Sequence, residues 1–310
     1  MGKKRRGSNA SVSVVTVTYR TGIILSDCLA ALLDHGEIVE IIVVDNGNPP
    51  DTTDLLDRLA EANPTVRLIR PGRNIGFAAG CNSGAAKATG RYLAFVNPDL
   101  IVPPGSFDRI LAAFAGNGNA WLCGGRLLNM DGSEQRGGRR EVLTPWRAFV
   151  ELTRLDRLAP AHPHFRRLHL MDGRPPHEVT AVPIISGAFM VMPRSRFTAL
   201  GGMDEHMFLH MEDVDLCLRV LLQGGTVLYC GDTPVYHQRG TSTVTRGFVE
   251  WHKTRSTIHY FFKHFRAAYP GWSLYLISGL LLLRWGLVTA AAVPSDLAGL
   301  MRRARAAKAR

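Results

Sequence analysis

Tyr92-Leu-Ala-Phe-Val-Asn-Pro-Asp99 decides how the chain is read. Tyr92–Val96 is almost wholly apolar and short, which predicts a strand buried on both faces of a sheet. Proline then ends the strand, because it has no N–H for a ladder, and Asp99 is left at the rim. Upstream the pattern repeats. Val12–Thr18 is a β-branched run, and Ile24–Leu33 has helical spacing. Ile41–Val44 is an aliphatic strand that stops at the turn cluster Asp45-Asn-Gly-Asn-Pro-Pro50. Asp51–Ala62 reads as a helix with Asp51 or Thr52 as its cap, Val66–Ile69 as a strand and Ala78–Ala88 as a helix. Strands alternating with helices predict a mostly parallel sheet flanked by helices, with ligands bound beyond the carboxyl ends of the strands. Asp45 and Asp99 both fall at such ends.

Past this half the periodicity weakens. From Gly116 to Glu178 the chain is rich in Gly, Arg, Pro and His and reads as a partly irregular excursion on the acceptor side. Order returns with Val182–Met192, an apolar helix Val214–Leu222 closed by Gly224-Gly225, and a strand Thr226–Tyr229 followed by the turn Gly231-Asp-Thr-Pro234. In the tail, Ile258, Phe261, Phe262 and Phe265 recur at helical spacing among Lys253, Arg255, Lys263 and Arg266, which describes a basic amphipathic helix. Trp272–Val293 is apolar apart from Arg284, and its 22 residues would make a helix of about 33 Å, nominally enough to span a bilayer. A central arginine costs roughly 2.5–3.5 kcal/mol there. Basic residues flank both sides, with Arg302, Arg303, Arg305, Lys308 and Arg310 at the end, so a monotopic or re-entrant placement is expected, in which Arg284 reaches lipid phosphates. A buried helix in a dimer is the alternative.

The 310 residues carry a net charge of +11 and are 46% hydrophobic, which suits a large core and a polyanionic partner. The positive charge gathers in the tail and no nucleic-acid-binding motif accompanies it, so nucleic acid is not an expected partner. Five widely spaced cysteines without a C-x-x-C pair speak against a zinc ribbon or a disulfide framework and for reducing cytoplasm. The hydroxyl-rich Ser11–Thr18 is no signal-peptide core. Phosphate-loop, dinucleotide and nucleophile-elbow signatures are absent, which removes the main support for kinase, dehydrogenase and hydrolase readings. The expected divisions are a basic disordered 1–10, a nucleotide-sugar-binding half 11–115, an acceptor-binding and catalytic half 116–245, and the tail 246–310.

Several side chains carry chemistry, each with an ordinary reading beside it. Asp45 suits the N–H of a pyrimidine or ribose hydroxyls, or else opens an Asx turn. Asp99 suits Mg2+ or Mn2+ bridging two phosphates, or else belongs to an Asn-Pro-Asp turn. Glu212-Asp213-Val-Asp215 sets three carboxylates at the start of a helix, which favours them through its dipole, while the apolar neighbours would raise a carboxylate's basicity and so suit a general base. His237 suits a metal begun by Asp99. His206 and His210 have i, i+4 spacing and would pair on a metal if helical, but without an H-E-x-x-H pattern they read as pocket-lining or structural.

Taken in order, Val15-Thr-Val-Thr-Tyr19, Val43-Val-Asp-Asn-Gly47, Arg73-Asn-Ile-Gly-Phe77 with Asn82, Asn97-Pro-Asp99, Ser186-Gly187-Ala188, Gly201-Gly-Met-Asp204, Glu212-Asp-Val-Asp-Leu-Cys-Leu-Arg219 and Tyr236-His237 with Ser242 resemble the family 2 inverting glycosyltransferases of GT-A fold. Within that family they most resemble the rhamnosyltransferase-like branch that builds bacterial cell-surface polysaccharides. The resemblance implies an α/β, Rossmann-like, mostly parallel sheet with a helical membrane-associating tail. It implies Thr18, Tyr19, Asp45, Arg73, Asn74, Asn97 and Asp99 around the nucleotide sugar, and Asp99 with His237 on Mn2+ or Mg2+. It also implies Asp213 as general base with Glu212 beside it, and Gly187, Glu212 and Asp213 against the acceptor. Asn97 stands where a strict D-x-D motif has its first Asp. The donor would be dTDP- or UDP-linked, the sugar rhamnose or a similar hexose, and the acceptor a glycan or a polyprenyl-linked hydroxyl at the cytoplasmic face of the inner membrane, with a homo-oligomer also admitted. The competing expectation is an inactive nucleotide-sugar-binding scaffold subunit of a membrane assembly.

Overall fold

The computed structural model describes residues 11–22, 24–157, 162–165, 168–170, 176–238 and 244–308. The basic N-terminus at 1–10, Ser242 and Arg310 lie outside the described residues, as do the side chains of Arg302, Arg303, Arg305 and Lys308. Two compact units are present, one drawing on Met1–Leu143, Arg167–Glu205 and Glu212–Ser242, the other on Thr144–Arg166, His206–Met211 and Thr243–Arg310.

The first unit runs β1 (Val12–Thr18), α1 (Ile24–Leu33), β2 (Ile38–Asp45), α2 (Pro50–Ala62), β3 (Val66–Ile69), α3 (Phe77–Lys87), β4 (Tyr92–Val96), β5 (Leu100–Ile101), α4 (Ser106–Gly116), β6 (Ala120–Leu128) and β7 (Arg139–Arg140). After α5 (Pro145–Thr153), which belongs to the second unit, come β8 (Val179–Ala181), β9 (Ile184–Ile185), β10 (Phe189–Pro193), α6 (Arg194–Ala199), α7 (Glu212–Leu222) and β11 (Thr226–His237). Nine strands form one sheet in the order β3-β2-β1-β4-β10-β6-β11-β5, with β8 also on β11. Pairs β1–β2, β1–β4, β2–β3 and β6–β11 are parallel, and β10 runs against both β4 and β6. Every residue of β1 is buried, as expected of a strand covered on both faces. All five cysteines are buried free thiols, and burial pushes those of Cys28 and Cys217 up to about 12.

Several expectations need correction. The stretch from Gly116 to Glu178, read as partly irregular, also holds β6, a nine-residue strand inside the sheet that the sequence did not reveal. Gly124-Gly125 disguised it. A Cβ on Gly124 would lie 2.7 Å from Ile185 Cδ1, and one on Gly125 would lie 2.8 Å from the Thr233 carbonyl, so the glycines mark close approach inside a strand. The Gly231–Pro234 turn is absent, because β11 continues through it with a register shift between Cys230 and Pro234 that accommodates the proline. Helix α2 has Pro49 at its cap position and no side-chain cap, because Pro50 already fixes the first helical φ. The order expected at Val182–Met192 is present as β9 and β10, joined by the turn at Ser186-Gly187-Ala188. His206 and His210 do not share a helix face, since the segment is turns and His210 has φ of 64°.

In the second unit, α8 (Arg246–Phe265) and α9 (Gly271–Lys308) pack antiparallel as a hairpin. Trp251 meets Trp285 at 4.9 Å between ring centroids, and Phe262 meets Tyr275 at 5.3 Å. Helix α9 buries Leu274, Ile277 and Leu281 but exposes Trp272, Tyr275, Leu276, Leu282, Leu283 and Leu287. Arg284 does not project freely toward phosphates; it pairs with Glu250 of α8 at 2.8 Å. Among the described residues, Gly271–Ala292 is the one helix long and apolar enough to cross a membrane.

Candidate active site

The carboxyl ends of β1, β2 and β4 form one rim, with Thr18 paired to Asp45 in register. Asp45 Oδ1 accepts from the N–H groups of Gly47 (3.1 Å) and Asn48 (3.0 Å) and from Asn48 Nδ2 (2.8 Å), so the Asx turn is real. Its other oxygen, Oδ2, faces Arg70 Nε at 3.6 Å. The turn occupies Oδ1, and Oδ2 is the oxygen on the Arg70 side. Asn48 Nδ2 also reaches Thr18 Oγ1 at 3.2 Å, and Asn46 donates to the Gly76 carbonyl at 3.0 Å, which ties the Arg73–Gly76 loop to the rim. Asn74 Oδ1 accepts from the Gly76 N–H at 3.0 Å, Arg73 is exposed, and Tyr19 lies beside Gly47.

Beyond β4, Asp99 and His237 stand 138 residues apart in sequence and meet, Nε2 to Oδ1, at 3.1 Å. Their elements are neighbours because β5 pairs with the end of β11, His237 opposite Leu100. On the far side of the ring, His237 Nδ1 lies 2.7 Å from Gln135 Oε1.

The Asn97 N–H donates to the Ala188 carbonyl at 2.9 Å and so joins the Asp99 turn to the Ser186–Ala188 turn. There the Gly187 N–H donates to Asp213 Oδ2 at 2.9 Å. A Cβ on Gly187 would stand 3.0 Å from that of Asp213, so this close approach needs glycine. Asp213 Oδ2 also accepts from Arg140 Nη2, and Oδ1 from the Val214 N–H at 2.8 Å.

The three carboxylates of α7 diverge in state. The basicity of Asp213 is not raised by apolar neighbours as expected: burial works against its charge, but the Arg140 guanidinium and the Gly187 N–H outweigh it and hold Asp213 below the usual carboxylate range. Burial, then the Asp213 charge, push Glu212 up to about 8, and its Oε2 is buried without a partner. Asp215 is fully buried and takes Arg219 Nε at 2.8 Å, while Arg219 also donates to the Leu200 and Gly202 carbonyls. Asn82 grips the same loop, accepting from the Met203 N–H at 2.8 Å and donating to the Met203 carbonyl at 2.9 Å. Asp215 is thus a structural anchor.

Glu212 has a consequence for stability. Its folded pKa lies above the unfolded value of 4.5, so between about pH 4.5 and 8 the folded state holds the extra proton. Stability then falls as pH rises through that window, by up to about 1.4 kcal/mol per pH unit from this group. Glu212→Gln should flatten the decline, and thermal unfolding of both forms at pH 5 and 8 checks it. An equal pH slope in the two proteins would contradict the assignment.

A mostly parallel sheet with carboxylates and an imidazole gathered at its rim is the GT-A architecture. The chain belongs to Glycosyl transferase family 2, whose profile matches residues 13–174, and is a glycosyltransferase. It is 29% identical over 255 residues to the N-acetylglucosaminyl-diphospho-decaprenol L-rhamnosyltransferase of Mycobacterium tuberculosis, covering 74% of this chain and 76% of that protein. It is 25% identical over 246 residues to the dTDP-rhamnosyl transferase RfbF of Shigella flexneri, covering 76% and 72%. Among solved structures, GalNAc-T7 with UDP, GalNAc and Mn2+ superposes with a TM-score of 0.59 at 16% identity, covering 83% of this chain, which spans 50% of that one. The mannosyltransferase PcManGT of Pyrobaculum calidifontis, in complex with GDP-Man and Mn2+, gives 0.55 at 17% identity, covering 95% and 75%.

Asn48, Arg70, Gln135 and Arg140 escaped the sequence reading. Asn48 sat inside a cluster taken only as a turn, and Gln135 and Arg140 lay in the stretch read as irregular. Their signal is partnership with residues far along the chain, which spacing does not carry.

Proposed function

We propose that the protein transfers one sugar, rhamnose or a similar hexose, from a dTDP- or UDP-linked donor to a hydroxyl of a lipid-linked or polysaccharide acceptor, with inversion. The observation that carries this reading is the Asp99–His237 pair at the rim that also holds Thr18 and Asp45. The similarity to a rhamnosyltransferase named for a diphospho-decaprenol acceptor, and to a dTDP-rhamnosyl transferase, supports the donor and acceptor classes.

The donor set fits a divalent cation. An imidazole nitrogen and a carboxylate oxygen 3.1 Å apart match two adjacent ligands with bonds of about 2.0–2.2 Å. Mn2+ or Mg2+ bound there would neutralise diphosphate charge as the leaving group departs. Asp45 Oδ2, Thr18, Tyr19, Arg73, Asn74 and Asn97 hold the nucleotide sugar. Asp213, which Arg140 and the Gly187 N–H hold in its charged form, accepts the acceptor's proton on Oδ1. The acceptor oxygen forms the new bond to the anomeric carbon as the bond from that carbon to the diphosphate breaks on the opposite face.

The exposed α9 face, with Trp272 and Tyr275 at one end, lies on the anionic cytoplasmic leaflet, and exposed Lys253, Arg255 and Lys263 of α8, with Arg266 just past its end, supply the charge. This keeps the enzyme beside a lipid-linked acceptor.

The test is a panel of dTDP-, UDP- and GDP-sugars incubated with the full chain and Mn2+, with nucleotide release as readout. Turnover of a dTDP- or UDP-sugar is expected, with EDTA abolishing it and Mn2+ or Mg2+ restoring it. Full activity in a metal-free preparation would contradict the metal reading.

A further inference from the structure

We infer that Gln135 is a positioning residue that fixes the tautomer of His237, so that the Nε2 lone pair is presented on the Asp99 side. This rests on the reading of Asp99 and His237 as metal ligands.

The argument is one of hydrogen-bond polarity. Asp131 is fully exposed, and the Ser133 hydroxyl and N–H hold it below the usual carboxylate range, so it only accepts. Ser133 Oγ donates to Asp131 Oδ1 at 2.6 Å and therefore accepts from Asn129 Nδ2 at 2.9 Å. That turns Asn129 Oδ1 toward Gln135, whose Nε2 donates to it at 3.1 Å. The same Nε2 reaches the His237 carbonyl, an obligate acceptor, at 3.3 Å. Both partners of Nε2 are acceptors, so Gln135 Oε1 must face the ring and accept from Nδ1–H at 2.7 Å. With the proton fixed on Nδ1, neutral His237 has its lone pair on Nε2, directed at Asp99 Oδ1. A lone pair and a carboxylate oxygen 3.1 Å apart are a pair that a cation can bridge.

Gln135 is 1% exposed, and the Leu127 carbonyl accepts its backbone N–H at 2.8 Å, so little else is available to its amide. A buried amide held from both ends is a means of orienting a ligating ring, and losing such a partner typically weakens metal binding about 10–100-fold.

The test uses the full chain with two readouts. Long-range 15N–1H spectra of 15N-histidine-labelled protein, with His237→Ala assigning the signal, report the tautomer without metal. The expected result is Nδ1–H in the wild type and a mixture in Gln135→Met. Nε2–H in the wild type would overturn the inference without any variant having to fold. Titration with Mn2+ alone, followed by electron paramagnetic resonance, should show about 10–100-fold weaker binding in Gln135→Met. Gln135→Glu, which keeps an acceptor for Nδ1–H, should recover most of it. Equal losses in both variants would mark a merely structural role and overturn the inference. Unchanged binding in Gln135→Met with loss in His237→Ala would overturn it too but leave the metal site standing. Unchanged binding in His237→Ala would remove the metal reading itself, while the tautomer signal still decides what Gln135 does to the ring.

Discussion

Asp213→Asn should lower kcat by about 10²–10⁴-fold, the usual worth of a general base, with donor KM nearly unchanged. Asparagine keeps the size of the side chain and an oxygen for the Gly187 N–H, but it cannot take the acceptor's proton. The buried Arg140 guanidinium loses its counter-charge, so some stability should be lost as well, and thermal unfolding separates the two effects. Asp215→Asn behaves differently. It loosens the Arg219 staple and should act chiefly on stability, with turnover per folded molecule close to normal. Steady-state kinetics on both variants, corrected for folded fraction, decide the matter. Wild-type kcat in Asp213→Asn would move the base elsewhere, and a selective collapse of kcat in Asp215→Asn would name the replacement.

Replacing Leu276, Leu283 and Leu287 together by Glu should release the protein from membranes. Each is more than half exposed, so none supports the α8–α9 core. Each leucine withdrawn from water contributes about 1.5 kcal/mol, together roughly 4–5 kcal/mol, or on the order of 10³-fold in partitioning. Vesicle sedimentation with phosphatidylglycerol and phosphatidylethanolamine is the measurement, with circular dichroism to establish that the variant folds. Unchanged sedimentation would transfer the attachment to another surface. The Arg284–Glu250 pair matters here, because it satisfies the charge inside the hairpin and removes the main electrostatic objection to an apolar α9 surface.

The half of the fold up to β4 was legible because its elements are locally coded. Val12–Thr18 and Tyr92–Val96 are continuous apolar runs, Asn97-Pro98 is an unambiguous stop, and α1 shows helical spacing. Strand β6 was not legible, since Gly124 and Gly125 are dictated by Ile185 and Thr233, residues at least 60 positions away. The same limit explains the site. Asp99, Asp213 and His237 stood out by type and position, because turns at strand ends and acidic first helical turns announce themselves. Gln135 and Arg140 act through distant partners, and nothing local distinguishes either from a surface residue. The α7 carboxylates are the clearest case. Glu212-Asp213-Val-Asp215 reads as one acidic cluster, yet the environment works against the charge on one member, favours it on another and makes the third a structural anchor.

The five buried thiols have a use outside the chemistry. With Cys28 and Cys217 pushed up to about 12 and all five enclosed by the core, the native protein presents no reactive sulfur at neutral pH. A cysteine introduced on the exposed face of α9 would therefore be the single handle that a maleimide dye finds. The chain is in effect already a cysteine-light protein, ready for depth-sensing fluorophores or spin labels without prior removal of its own thiols.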